Sequence, residues 1–127
     1  MTKKFTMTNS NSLYTYKARL DRVVDGDTVD LVIDLGFDIH HRVRCRLFGI
    51  DTPEVRTKDL HEKELGMAAK AYVIDWFDLN KECYVETIKD RTGKYGRLLA
   101  KIHADETMQI SLNEQLVDAG HAVTYSK

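Results

Sequence analysis

The chain has 127 residues, 43% hydrophobic and 31% charged, with a formal net charge of −1 and a pI near 6.5. That length suits one domain with one core, and the near-neutral charge excludes broad, charge-driven coating of nucleic acid while leaving room for a local basic groove. No apolar run approaches the roughly 18 residues of a membrane-crossing helix, and the two cysteines, Cys45 and Cys83, lie far apart in no C-x-x-C pattern, which argues for free buried thiols rather than a zinc site.

Residues 1–13 read as a flexible polar tail. The two lysines in MTKKFTMTNSNS are followed by no apolar stretch, so this is not a secretory signal and the expected location is the cytoplasm. Residues 14–127 read as a single domain. YTYKARLDRVVD (14–25) is a weakly alternating first strand. Asp25-Gly26 is then a strong hairpin signal. On that reading Asp27 is surplus to the turn and Thr28 opens the next strand. In TVDLVIDL (28–35), Val29, Leu31 and Ile33 alternate with Asp30, Val32 and Asp34, and Gly36 begins another turn. IHHRVRCRLFGI (39–50) predicts a third strand with Val43, Cys45 and Leu47 on one face and Arg42, Arg44 and Arg46 on the other. Three consecutive outward arginines exceed what a half-buried strand needs.

A long polar connection, DTPEVRTKDLHEKE, leads into a helix over about 61–79. Its core stripe is Leu65, Ala68, Ala69, Tyr72, Val73, Trp76 and Leu79. ECYVETIK (82–89) and RLLAKIHA (97–104) are two more strands, joined by DRTGKYG. Ser111 with Glu114 is a capping box, Gly120 marks the end of that helix, and Leu112 and Leu116 dock it. The order predicts a mainly β, α+β domain: a five-stranded OB-fold barrel with two packed helices.

Several side chains at element ends carry possible chemistry. Asp27, Asp51 and Glu54 are carboxylates at turns. Two aspartates, a backbone carbonyl and waters make a workable open Ca²⁺ site, although each acid alone also reads as a turn or solvated residue. Arg46 and Arg97 close different strands. If the barrel brings those ends together, their guanidiniums can clamp one phosphate; singly, each reads as a surface arginine in a weak ion pair. Lys94 and Tyr95, between two glycines, are good phosphate contacts or plain turn residues. No catalytic role falls to any of the five histidines.

The segments VVDGDTV, RLFGIDTPE and TGKYGRLLA, followed by LNEQLVDAG, stand in the order and with the spacing of the staphylococcal-nuclease-like (thermonuclease) family, and the likeness covers about residues 17–122. The resemblance implies a Ca²⁺-dependent endonuclease cutting DNA and RNA with little sequence specificity. It assigns one Ca²⁺ to Asp27, Asp51 and the carbonyl of Thr52, and water activation to Glu54. It places Arg46 and Arg97 on the scissile phosphate, and Lys94 and Tyr95 on a terminal phosphate of the bound nucleotide. The implied partner is a DNA or RNA substrate, with no membrane, and the chain is expected to act as a monomer. The family's Y-G-P-E-A is L-G-M-A-A here (65–69), and of its late tyrosines only Tyr125 has a counterpart. The competing reading is a catalytically weak or inactive nuclease-like domain that binds nucleic acid or a protein partner. Such a domain is expected to lack Glu54 or one of the arginines, and all are present.

Overall fold

The structure is a computed structural model that describes residues 14–88 and 98–125. The tail 1–13 and the expected phosphate contacts of the 90–97 segment therefore lie outside the described residues. The elements are β1 (Thr15–Asp25), β2 (Thr28–Asp34), β3 (His40–Leu47), β4 (Ile50–Asp51), α1 (Leu60–Leu79), β5 (Cys83–Ile88), β6 (Leu98–His103), α2 (Leu112–Asp118) and β7 (Val123–Thr124).

Five strands close into a barrel in the order β1-β2-β3-β6-β5, and β4 pairs with β7 apart from it. All barrel neighbours are antiparallel except β3 and β6, which run parallel with Cys45 beside Leu98 and Arg46 beside Leu99. This is the expected five-stranded OB-type barrel with two helices. β1 is long enough to pair with both β5 and β2, and its register to β2 slips after Leu20 and again after Val23. Each slip adds a residue to β1 and bends it, which lets a short sheet curl shut.

The inward residues read in β2 and β3 are borne out, although Val32, read on the opposite face of β2, is buried too and Val43 is half-buried. Val29, Leu31, Ile33, Cys45 and Leu47 are buried in the barrel, joined by Val85, Ala100 and Ile102. The third strand is shorter than the expected 39–50. It stops at Leu47, the chain turns through Gly49 (φ +81°), and Ile50–Asp51 leave to pair with β7. That left-handed backbone is open to glycine at little cost.

α1 covers one end of the barrel. Asp59 caps it, its carboxylate accepting from the backbone N–H groups of His61 and Glu62. The buried face is Gly66, Ala69, Val73, Trp76 and Phe77. Of the expected stripe, Ala69, Val73 and Trp76 are buried and Tyr72 is half-buried, whereas Leu65, Ala68 and Leu79 are exposed and Gly66 and Phe77 complete the buried face. α2 begins at Ser111, whose hydroxyl accepts the Glu114 N–H at 3.1 Å. It ends in a Schellman turn: Gly120 (φ +83°) donates its N–H to Val117 O, and His121 donates to Leu116 O. Leu112 and Leu116 are fully buried. Asn113 beside them is also buried; its amide donates to Phe48 O and Ala100 O and its carbonyl accepts from Ile102 N–H. One side chain thus ties α2 to β6 and to the turn before β4.

Candidate active site

The β1–β2 hairpin carries the first site residue. Asp25 pairs with Thr28, so the two loop residues are Gly26 and Asp27. Asp27 is part of the turn rather than surplus to it. Gly26 is not in the left-handed region, which among described glycines is occupied by Gly36, Gly49 and Gly120. Its lack of a side chain answers a different need. A Cβ there would stand 2.8 Å from the Ala69 Cβ and 3.0 Å from Thr52 Oγ1. The turn is pressed onto α1 and onto the segment after β4. From that position the Asp27 carboxylate accepts the Thr28 hydroxyl at 3.0 Å and the Thr52 N–H at 3.3 Å.

Arg46 faces the same carboxylate from the end of β3. Nη1 donates to the carbonyls of Leu47 (3.2 Å) and Ile50 (3.0 Å). Nη2 donates to Asp51 Oδ1 at 3.1 Å and lies 3.7 Å from Asp27 Oδ2. The Tyr125 ring lies 5.7 Å from the guanidinium carbon, within cation–π reach. Arg42 and Arg44, on the same face, do other work. Arg44 grips Asp30 with two hydrogen bonds of 2.8 and 3.1 Å, and Arg42 pairs with Asp21 at 3.3 Å. The outward arginine row therefore splits into one that binds the neighbouring β2, one that reaches past it to β1 and one that reaches the site.

Asp51 sits on β4, held by β7 through the pairs Ile50–Thr124 and Asp51–Val123 and by Tyr125 N–H to Gly49 O at 2.8 Å. Burial, and then the negative charge of Asp27, push the Asp51 carboxyl above its ordinary range; Arg46 opposes this in part. Two carboxylates close enough to repel, both hard oxygen donors, fit an oxygen-ligating divalent cation. No group of three or more His, Cys, Asp or Glu converges for a metal among the described residues. Carbonyl, water or phosphate oxygens would have to complete such a site. Thr52 follows directly, buried, with its Oγ1 lacking a hydrogen-bond partner among the described residues.

Beyond Asp51 runs an open groove of about 480 Å³, walled by Thr52, Glu54, Glu62, Leu65 and His121. Glu54 is exposed on its rim. Its backbone N–H donates to Glu62 Oε2 at 3.2 Å. A Cβ on Gly66 would meet the carbonyl oxygens of Glu54 at 2.7 Å and of Pro53 at 2.8 Å, so this loop lies flat on α1. Gly66 and Ala69 are the two positions at which L-G-M-A-A keeps the residues of Y-G-P-E-A. Both pack beneath the site, Ala69 under Gly26 and Gly66 under Pro53 and Glu54, while Leu65 lines the groove and Met67 is exposed.

The sequence profile of the family described as staphylococcal nuclease homologue matches residues 44–127. The chain belongs to this family. The match takes in β3 from Arg44 onward and starts after the hairpin that carries Asp27. Among curated proteins, the chain is 28% identical over 115 residues to "Endonuclease YhcR" of Bacillus subtilis (strain 168), covering 87% of this chain and 9% of that protein. Both likenesses are to nuclease-family proteins, and they support a nuclease-family function.

In this nuclease-family barrel, Asp27, Arg46, Asp51 and Thr52 converge from three separate stretches of chain, and Glu54 opens onto the adjoining groove. Arg97, Lys94 and Tyr95 fall outside the described residues. Sequence reading missed Glu62, Gly66, Ala69 and Asn113 as supports of the site. A small-residue pair three apart on a helix is the signal that could have exposed Gly66 and Ala69. His121, which lines the groove and packs on Tyr72 at 5.1 Å between rings, also carried no signal of its place.

Proposed function

We propose that this chain is a Ca²⁺-dependent endonuclease that hydrolyses phosphodiester bonds of DNA and RNA with little sequence preference. The observation that carries the reading is the Asp27–Arg46–Asp51 cluster, with Nη2 of one arginine 3.7 and 3.1 Å from two carboxylates. A structural ion pair needs one acid per arginine; two acids that repel each other mark a place built for more positive charge. What supports the substrate class is the family and the planar donor set that Arg46 presents.

Asp27, Asp51 and the Thr52 carbonyl would hold the cation. Bound there, Ca²⁺ supplies neutralisation of the phosphodiester charge and orientation of a water. Glu54 accepts the proton of that water at its carboxylate as the oxygen attacks phosphorus in line with the departing ester oxygen. Arg46 donates to a non-bridging phosphate oxygen as charge grows there. Arg97, directly before β6, is the proposed second donor, and Lys94 and Tyr95 the contacts to a neighbouring phosphate. The groove past Glu54 receives the chain on that side of the scissile bond.

The test is cleavage of single- and double-stranded DNA and of RNA by the purified protein. Ca²⁺ should support cutting and EDTA should stop it. Glu54→Gln and Arg97→Ala should each nearly abolish cutting while leaving the thermal unfolding midpoint close to that of the parent. Absence of cleavage with Ca²⁺, Mg²⁺ and Mn²⁺ alike would make the chain a binding module instead.

A further inference from the structure

Backbone accounting along Asp51–Glu54 shows how the groove wall is held. The Thr52 N–H is taken by Asp27 Oδ2 at 3.3 Å. Pro53 has no N–H and a fixed φ. The Glu54 N–H is taken by Glu62 Oε2 at 3.2 Å, from the first turn of α1. The other oxygen of Glu62 accepts the Thr57 hydroxyl at 3.5 Å, and that hydroxyl oxygen accepts the Asp59 N–H at 3.2 Å. Asp59 in turn caps the helix through His61 and Glu62 N–H groups at 3.0 and 3.2 Å. One turn further along α1, Gly66 leaves room for the Pro53 and Glu54 carbonyls. Glu54 is therefore clamped at its N–H by Glu62 and seated at its C=O on Gly66.

We infer that Glu62 is a positioning residue for Glu54: its carboxylate fixes the backbone from which Glu54 reaches the attacking water. This rests on the reading of Glu54 as the general base. The physical reason is that Glu54 is exposed, its side chain has three rotatable bonds and no hydrogen bond or ion pair among the described residues holds its carboxylate, so the backbone anchor sets where it can reach. Displacement of a reacting group by about 1 Å can cost on the order of 10²-fold in rate. Glu62 also walls the groove proposed to receive the substrate, so the diagnostic of positioning is whether the kcat loss depends on Glu54, not whether KM moves.

The experiment is a mutant cycle in the full chain. Glu62→Ala should lower kcat about 10- to 100-fold. Glu62→Gln, which keeps an oxygen facing the Glu54 N–H, should restore most of kcat. In a Glu54→Gln background, Glu62→Ala should cause no further loss, because the group it positions is gone. Amide hydrogen exchange at Glu54 should quicken in Glu62→Ala and return toward the parent rate in Glu62→Gln. The inference is overturned if Glu54→Gln abolishes cleavage while Glu62→Ala leaves kcat intact, or if the two losses multiply. If Glu54→Gln itself cleaves normally, the general-base reading fails and takes this one with it.

Discussion

Gly26 rests on Ala69 so closely that a single added methyl at the glycine would stand 2.8 Å from the alanine Cβ. Neither partner is a flexible side chain that can swing away. The contact is what sets the height of the Asp27 turn above α1. Gly26→Ala should therefore cost about 1–3 kcal/mol of stability, the usual range for overpacking. It should also lower cleavage by more than the unfolded fraction explains, since the turn must lift. Urea unfolding and cleavage assays on the same preparation check both.

The two aspartates that flank Gly26 should behave differently. Asp27 touches Thr52 and lies in the arginine cluster, whereas among the described residues the Asp25 carboxylate acts on Arg44 through its charge. Asp27→Asn should weaken Ca²⁺ binding and nearly abolish cleavage while preserving the fold, because the amide oxygen can still accept the Thr52 N–H. Asp25→Asn should leave cation affinity within about threefold of the parent, since Asp25 pairs with Thr28 on the strand side of the turn and makes no contact with Arg46 or Asp51 that the described residues show. Calorimetric titration with Ca²⁺ reads the contrast directly.

Asp51 predicts a pH dependence. Its carboxyl lies above the ordinary range because it is partly buried and because Asp27 is charged nearby. As pH falls, Asp51 therefore takes up its proton earlier than an ordinary carboxylate, and the protonated form cannot ligate a cation. Apparent Ca²⁺ affinity should fall with decreasing pH through that transition. In the cation-free protein, Asp27→Asn should move the Asp51 midpoint downward by removing the repulsion. Carboxyl-detected NMR titration measures the midpoint; an upward move or none would show that Asp27 is not the cause.

On the outer wall, Asp30 has the opposite shift. The Arg44 hydrogen bond holds its carboxyl below the ordinary value of 3.8. A carboxylate depressed on folding contributes stability that is present above its unfolded pKa and lost as pH falls through the folded one. Asp30→Asn should thus flatten the loss of stability below about pH 4 while changing stability near neutrality only slightly, the behaviour of an exposed pair. Thermal unfolding across pH 2–7 checks the slope.

Asn113 should prove the most sensitive polar residue of the second helix. Its side chain satisfies Phe48 O, Ala100 O and Ile102 N–H, all within 3.1 Å. Asn113→Ala should cost about 2–4 kcal/mol, because Phe48 O and Ile102 N–H lose this partner at about 1–3 kcal/mol each, while Ala100 O keeps the Phe48 N–H. Asn113→Asp should also destabilise, since a carboxylate cannot donate to the two carbonyls. Denaturant midpoints at constant m-value are the readout.

The local features were legible in the chain itself. Alternation in β2 and β3, the Ser111–Glu114 cap and the Gly120 stop all depend on residues two to four apart, and the folded structure keeps them. So did the family motifs, which picked out Asp27, Arg46, Asp51, Thr52 and Glu54 by type and order. Tertiary structure decided what each of these does next to its neighbours. Arg42, Arg44 and Arg46 are identical in type and share a strand face. Only barrel closure sends two of them to Asp21 and Asp30 and the third to Asp27 and Asp51. Gly26 looks like a turn glycine, and only the seating of α1 reveals it as a packing glycine. Glu62 looks like a solvated helix acid until its carboxylate is found on the Glu54 N–H. The reason is one of range. Periodicity and caps are written within a turn of helix or a few residues of strand, whereas a site is made by contacts such as Asp27 with Thr52, 25 residues apart, which exist only once the sheet has closed.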